Sequence, residues 1–205
     1  MILHINPDNP QARLIDQAVD CLRNGGVIAY PTDTIYGIGC AIFNRKSIQR
    51  IYQIKQRDPR KPFSFICSDL AEVARYARVS NQAFKIMKRH LPGAYTFVLD
   101  ATREVPELLV TRQRTVGVRI PANNIALEIV RRLGEPLVTT SANLTGEATY
   151  QDPSLIHDDW GKQLDLVIDG GLLHGEPSTV ISLRQDQIEI LRQGCGATDW
   201  IHQLL

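Results

Sequence analysis

The chain has 205 residues, a formal net charge of +1, 43% hydrophobic residues and 22% charged residues. This composition is typical of a soluble globular protein, and no apolar run approaches the roughly 18 residues of a membrane span. The N-terminus lacks the basic start and apolar stretch of a signal peptide. We therefore predict a single domain over residues 1–205, located in the cytoplasm and not attached to a membrane.

The charges are unevenly distributed along the chain. Segment 45–61 contains seven Lys or Arg residues and one acid, whereas segment 145–176 contains seven acids and one Lys. A concentrated basic cluster favours binding of a compact anion, because coating a long duplex needs an extended basic surface. Residues 139–143 add a run of short hydroxyl and amide donors. Together these two segments indicate a polyphosphate site.

In chain order, the first predicted element is a helix that opens with Pro10 in its first turn and closes at Gly25-Gly26. Two apolar strands follow, over residues 27–30 and 35–41, and the segment Pro31-Thr32-Asp33-Thr34 separates them. The apolar face of the helix consists of Leu14, Ile15, Ala18, Val19 and Leu22.

The next predicted element is a basic helix over residues 45–56, capped by Asn44. Lys55 continues the apolar stripe of this helix and should therefore point inward, toward a cleft that holds an anion. In the alternative, the cations complement the C-terminal dipole of the helix, and the lysine stem lies along the protein surface. The apolar stripe itself consists of Ile48, Ile51 and Tyr52.

Strands and helices alternate along the rest of the chain. Helices are predicted after the capping residues Asp69 and Ser80 and over residues 124–133. The last two predicted strands pair as a hairpin, so the sheet is mixed and not purely parallel. These elements predict an α/β fold. The strands are expected over residues 63–67, 94–99, 115–120, 137–140, 164–169, 179–183 and 188–191.

A second informative cation, Arg119, lies on the predicted strand 115–120. Its apolar neighbours face one side of the strand, so Arg119 shares the other side with Thr115 and Gly117. The guanidinium fork suits a carboxylate or a phosphate. We predict that Arg119 lines a cavity, and a buried ion pair with one of the acids is the alternative.

The cysteines and histidines do not indicate a metal or nucleophile centre. The four cysteines are scattered without a CxxC pair, and the five histidines are isolated. We therefore predict free thiols and no protein-bound structural metal. The chain also lacks a GxxxxGK[ST] run, which argues against a P-loop enzyme.

Eight segments, in order, resemble the YrdC/YciO-like family of threonylcarbamoyl-AMP synthases. The resemblance implies an α/β fold in which helices wrap a twisted mixed sheet around a large basic cavity, and the first ten residues are similar to the YciO branch. The segments are Pro31-Thr32-Asp33-Thr34-Ile35-Tyr36-Gly37-Ile38-Gly39, Lys55-x-Arg57 with Lys61-Pro62, Pro92-Gly93, Val118-Arg119-Ile120-Pro121, Ser141-Ala142-Asn143, Asp169-Gly170-Gly171, Ser178-Thr179-Val180 and Arg192-x-Gly194.

The resemblance also implies a reaction. L-threonine, bicarbonate and ATP would form threonylcarbamoyl-AMP with release of pyrophosphate, the first step of threonylcarbamoyl-adenosine modification in tRNA. Magnesium is expected to enter with ATP, held mainly by phosphate oxygens and water. The ATP ligands implied by position are Lys55, Arg57, Lys61, Ser141, Asn143 and Arg192.

Lys55 and Arg57 would be catalytic, because they would neutralise charge that builds on the leaving pyrophosphate. The implied threonine pocket comprises Thr32, Arg119 and Ser178, with Arg119 on the carboxylate. On this hypothesis, Lys55→Ala should remove ATP affinity with little loss of fold stability.

Other interpretations of the same residues are open. A non-catalytic protein could hold double-stranded RNA or tRNA in the cavity, and a paralogue could adenylate or hydrolyse a different acceptor. Thr32 and Ser178 could satisfy backbone groups at turns or strand ends.

Two departures from the family affect the amino-acid pocket: Leu91-Pro92-Gly93-Ala94 replaces the common Trp-Pro-Gly-Pro, and Cys67-Ser68 replaces a histidine. The sequence does not specify the oligomeric state.

Overall fold

The computed structural model describes residues 1–58 and 61–203. Within these ranges, ten strands form one sheet, and six α-helices accompany it. The strands are β1 Ile2–His4, β2 Ile28–Tyr30, β3 Gly37–Ala41, β4 Ser64–Ile66, β5 Tyr95–Asp100, β6 Thr115–Arg119, β7 Leu137–Ser141, β8 Leu166–Asp169, β9 Thr179–Ser182 and β10 Glu189–Arg192. The helices are α1 Ala12–Arg23, α2 Arg45–Ile54, α3 Leu70–Tyr76, α4 Asn81–His90, α5 Asn124–Leu133 and α6 Pro153–Trp160, with short 3-10 helices at Glu107–Leu109, Arg184–Asp186 and Asp199–Gln203.

The sheet is mixed, as predicted, with the strand order β1-β8-β2-β3-β7-β4-β6-β5-β9-β10. Strand β8 is parallel to β1 and β2, and the pairs β4–β6 and β5–β9 are also parallel. The other neighbours are antiparallel, including β9 and β10, which confirms the C-terminal hairpin. Every predicted strand is present with ends shifted by at most two residues, and β1 and α6 are additional to the predicted elements.

The core consists of two clusters of buried side chains that lie on the two faces of the sheet. Strand β8 shows the division, because Leu166 and Ile168 belong to one cluster and Val167 to the other. Helices α1 and α5 pack against the first face, and α2, α3, α4 and α6 contribute to the second cluster. The sheet is therefore buried on both faces, as in α/β proteins, except at the edge strand β10, whose four residues are exposed. None of the described helices is long and apolar enough to cross a membrane.

Helix α2 begins where predicted, because the Asn44 side chain accepts a hydrogen bond from Ser47 N at 3.1 Å. Its predicted end at residue 56 is wrong, since the helix ends at Ile54. Gln56 has a φ of 47°, and this left-handed backbone cannot continue the helix. Lys55 is the C-cap residue, and its 2% exposure confirms the predicted inward orientation.

Helix α1 begins later than predicted. Pro10 precedes the helix and does not occupy its first turn, and Gln11 is the N-cap residue. The physical reason is a turn built by Asn6, whose Oδ1 accepts from Asp8 N at 2.9 Å and from Asn9 N at 3.1 Å. This turn occupies the residues just before Pro10, so the helix starts only after the chain has left it.

Candidate active site

A cleft of about 320 Å³ opens between the ends of the central strands. Strands β3 to β7, together with β9 and β10, each contribute at least one residue to its lining. Seven of the nine predicted site residues lie on its surface, and they come from distant parts of the chain. They are Thr32, Arg57, Arg119, Ser141, Asn143, Ser178 and Arg192.

One side of the cleft presents Ser141 and Asn143, with Lys55 behind them, and we call these three residues the lysine wall. The Lys55 ammonium donates to Ser141 O and Asn143 Oδ1, each at 2.7 Å, and to Asn143 O. Ser141 Oγ donates to Asn143 Oδ1 at 2.5 Å. Lys55 itself is not among the lining residues. Its N–H groups donate hydrogen bonds to the loop that presents Ser141 and Asn143 to the cleft.

The buried position of Lys55 lowers the pKa of its ammonium group. Burial lowers the pKa of Lys55 to about 8, and the charge of Arg57 lowers it in the same direction. The protonated amine offers three N–H groups to three oxygens, whereas the neutral amine offers only two. Near neutral pH the side chain is therefore protonated, and it holds Ser141 and Asn143 in place from behind the cleft surface.

Arg57 lines the cleft and is anchored by the chain that follows it. Its Nε donates to Lys61 O at 3.1 Å, and its Nη2 donates to Pro62 O at 3.0 Å. The guanidinium carbon lies 5.4 Å from the centroid of the Phe63 ring. Lys61 is exposed and is not part of the cleft lining, so its contribution is the carbonyl oxygen that anchors Arg57.

Another part of the lining, which we call the arginine wall, consists of Thr32, Arg119, Ser178 and Arg192. Arg119 is 7% exposed and donates from Nη2 to Asp33 Oδ1 at 2.6 Å and from Nη1 to Thr34 Oγ1 at 2.9 Å. Both hypotheses about Arg119 are confirmed, because it lines the cleft and also forms a buried ion pair. In the described part of the chain, its buried Nε has no hydrogen-bond partner.

The hydroxyl groups of the arginine wall differ in what they bind. Thr32 Oγ1 donates to Ile35 O at 2.6 Å, so it closes a turn, which confirms the backbone alternative for this residue. Ser178 Oγ lies 2.9 Å from Thr96 Oγ1 and 3.5 Å from Arg192 Nη2. Within the described part of the chain, the partners of the Ser178 hydroxyl are therefore side chains of the cleft and not backbone groups.

Arg192 extends the positive charge of the arginine wall. Its Nη2 donates to the carbonyl oxygen of Ser178 at 2.7 Å. This partner is neutral, whereas Arg119 has the carboxylate of Asp33 beside it. Two guanidinium groups and one carboxylate leave a net positive charge, so an anion would be stabilised at this wall.

The lining also contains polar residues outside the predicted set, including Thr96 and Glu147. Thr96 is 5% exposed on β5, and a polar residue within the apolar segment 94–99 was a usable signal. Glu147 lies in the loop after Asn143, whose Nδ2 donates to Glu147 O at 2.7 Å, and no local pattern marks it. The described residues contain no group of three or more His, Cys, Asp or Glu side chains that could hold a metal ion.

The chain is similar to known proteins along most of its length. The family Sua5_yciO_yrdC, described as Telomere recombination, matches residues 20–194. The chain belongs to this family. It is 47% identical over 195 residues to the uncharacterized protein YciO of Escherichia coli, with 94% of this chain and 95% of YciO covered. It is 33% identical over 159 residues to the threonylcarbamoyl-AMP synthase of Coxiella burnetii, with 77% of this chain and 86% of the synthase covered.

Two solved structures share the fold. The crystal structure of E. coli YciO matches with a TM-score of 0.93 at 44% identity and covers 97% of this chain and 98% of YciO. The crystal structure of P. abyssi Sua5 complexed with L-threonine matches with a TM-score of 0.93 at 28% identity. That match covers 100% of this chain and 61% of Sua5. The predicted family and fold class are confirmed.

Proposed function

We propose that this protein synthesises threonylcarbamoyl-AMP from L-threonine, bicarbonate and ATP and releases pyrophosphate. The observation that carries the proposal is the convergence of the lysine wall and the arginine wall in one cleft. Relatives named threonylcarbamoyl-AMP synthase and the Sua5 complex with L-threonine support it. The product would then enter the threonylcarbamoyl-adenosine modification of tRNA.

For the nucleotide, we assign the ATP phosphates to Arg57, Ser141 and Asn143, with Arg192 as a further contact. Arg57 would neutralise charge that develops on the leaving pyrophosphate, which stabilises the transition state more than the ground state. Lys55 would act through Ser141 and Asn143, because its own N–H groups are already bound to them.

Magnesium is assigned to this reaction as part of MgATP. Among the described lining residues, Glu147 is the one carboxylate. A single exposed carboxylate is too few for a protein-built magnesium cage, and Mg²⁺ prefers to keep water and phosphate ligands. The ion would therefore be held mainly by the phosphate oxygens and water.

For the amino acid, we assign the carboxylate of L-threonine to the arginine wall, with Arg119 as its main partner. The amine would take up carbon dioxide derived from bicarbonate and lose a proton to give a carbamate. A carbamate oxygen would then attack the α-phosphorus of ATP, and the bond from this phosphorus to pyrophosphate would break. The protein contributes by holding both substrates in one orientation and by neutralising charge.

The proposal is tested by mixing purified protein with ATP, magnesium, bicarbonate and each amino acid in turn and by measuring pyrophosphate. We expect release that requires both L-threonine and bicarbonate. Arg57→Ala should lower this activity, whereas Lys46→Ala, an exposed cation of the same basic helix, should not change it. Release with a different acceptor would identify a paralogue of the synthase. No release with any amino acid, together with salt-dependent binding of tRNA, would favour the non-catalytic alternative.

A further inference from the structure

Two hydroxyl groups meet inside the arginine wall. Thr96 Oγ1 and Ser178 Oγ are 2.9 Å apart, each residue is 5% exposed, and both line the cleft. The parallel pairing of β5 with β9, in which Thr96 is the partner of Val180, brings the two residues together. Ser178 directly precedes β9, so the pairing of Tyr95 with Thr179 at the start of this strand places the Ser178 hydroxyl beside that of Thr96.

Among the residues that the structure describes, the hydrogen bonds of this pair leave one proton without a protein acceptor. A hydroxyl group has one proton and two lone pairs, so the contact between Thr96 and Ser178 uses one of two protons. Arg192 Nη2 lies 3.5 Å from Ser178 Oγ and can only donate. When Thr96 also donates to Ser178, both lone pairs of the Ser178 oxygen are occupied. Its proton then remains for a ligand in the cleft.

We propose that Thr96 is a positioning residue that turns the Ser178 hydroxyl proton into the cleft, where this proton donates to the carboxylate of the amino-acid substrate. The inference rests on the proposed function, since it concerns the same substrate. The neighbouring side chains of Arg119 and Arg192 are also donors without acceptor capacity. A group of donors with net positive charge selects an anionic oxygen ligand.

Thr32 cannot supply this proton, although its side chain also lies in the lining. Its hydroxyl donates to Ile35 O at 2.6 Å, and releasing it would leave a buried carbonyl oxygen without a partner. Besides its two guanidinium groups, the arginine wall therefore has one hydroxyl donor for a ligand, that of Ser178, and Thr96 orients it.

The test compares variants that remove or keep the hydroxyl of Thr96. Thr96→Val keeps the shape of the side chain and should raise the KM for L-threonine about tenfold, because a hydrogen bond to a charged group is lost. The KM for ATP should stay within about twofold. Thr96→Ser keeps the hydroxyl and should restore the KM for L-threonine. If Thr96→Val does not fold, Thr96→Ala removes the same hydroxyl and takes its place.

Thr115→Val is the matched control. Thr115 is 7% exposed on the neighbouring strand β6, and its hydroxyl lies 2.9 Å from that of Thr111. This variant removes a hydroxyl from a similar pair, but Thr115 is not part of the cleft lining. It should leave both KM values unchanged, so an equal effect of Thr115→Val and Thr96→Val would show a general structural role and overturn the proposal.

A binding measurement separates the possible failures. L-threonine and L-2-aminobutyrate, which lacks the side-chain hydroxyl, are titrated into wild-type protein and into Thr96→Val by calorimetry. An equal loss of affinity for both ligands would support contact with the carboxylate, and a loss confined to L-threonine would overturn it. Unchanged affinity in Thr96→Val would overturn this inference alone. If the wild-type protein binds neither amino acid, the proposed function fails together with it.

Discussion

The lysine wall and the arginine wall both contain buried cations, but they use them differently. On the lysine wall, the ammonium of Lys55 is bound to oxygens of Ser141 and Asn143, so the protein itself supplies its partners. On the arginine wall, Arg119 also has protein partners, the Asp33 carboxylate and the Thr34 hydroxyl, but Arg119 lies in the cleft lining and Lys55 does not. A cation within a site motif can therefore hold a binding loop from behind the cleft surface, or it can lie at that surface, where a ligand can reach it.

Removal of Arg119 should have the largest effect on stability and on L-threonine binding. If neither changed, the role that we assign to the arginine wall would be wrong. Arg119→Ala leaves the Asp33 carboxylate, which is 13% exposed, without its cationic partner. Loss of one partner of a buried ion pair costs about 3 to 5 kcal/mol. We expect the free energy of unfolding in urea to fall by about this amount and L-threonine binding, measured by calorimetry, to be lost.

The control for this variant removes the unpaired charge. Asp33→Asn in the Arg119→Ala background should recover about half of the lost stability, because a neutral amide is less costly to bury than an unpaired carboxylate. It should not recover L-threonine binding. Recovered binding would contradict the assignment of the substrate carboxylate to Arg119.

Lys55→Ala should lower both stability and ATP binding. Three oxygens on Ser141 and Asn143 lose their donor, so we expect the free energy of unfolding to fall by about 2 to 4 kcal/mol. These contacts lead us to expect a larger loss of stability than the sequence alone predicted for this variant. Affinity for a non-hydrolysable ATP analogue should fall together with stability, whereas Lys46→Ala should change neither. Lost affinity at unchanged stability would contradict the positioning role of Lys55.

A smaller effect should appear in the pH dependence of ATP binding. The pKa of Lys55 is about 8 in the folded protein and 10.5 in its ordinary state. Above pH 8 the folded protein loses this proton, and we expect affinity for the ATP analogue to fall about threefold between pH 7 and pH 9. The unfolded chain keeps its proton in this window, so the contribution of Lys55 to stability rises with pH. Constant affinity up to pH 9.5 would contradict this account.

Local patterns predict most of the fold and the orientation of its two key cations. Helix α5 has the predicted bounds, and the apolar spacing around Lys55 and Arg119 correctly predicts that both side chains point inward. The partners of these cations cannot be predicted in this way. The bond from Lys55 Nζ to Ser141 O joins residues 86 positions apart, and it depends on the order of strands in the sheet. The exposed side chain of Lys61 shows the same limit, since its motif position does not determine its direction.

The central claim is that one cleft holds the nucleotide and the amino acid side by side. The most direct measurement is a calorimetric titration of L-threonine into protein that is already saturated with a non-hydrolysable ATP analogue. We predict binding of one L-threonine per chain without displacement of the analogue, and loss of this binding in Arg119→Lys, which keeps the charge but not the fork of donors. Displacement of the analogue by L-threonine, or no threonine binding to the saturated wild-type protein, would contradict the claim.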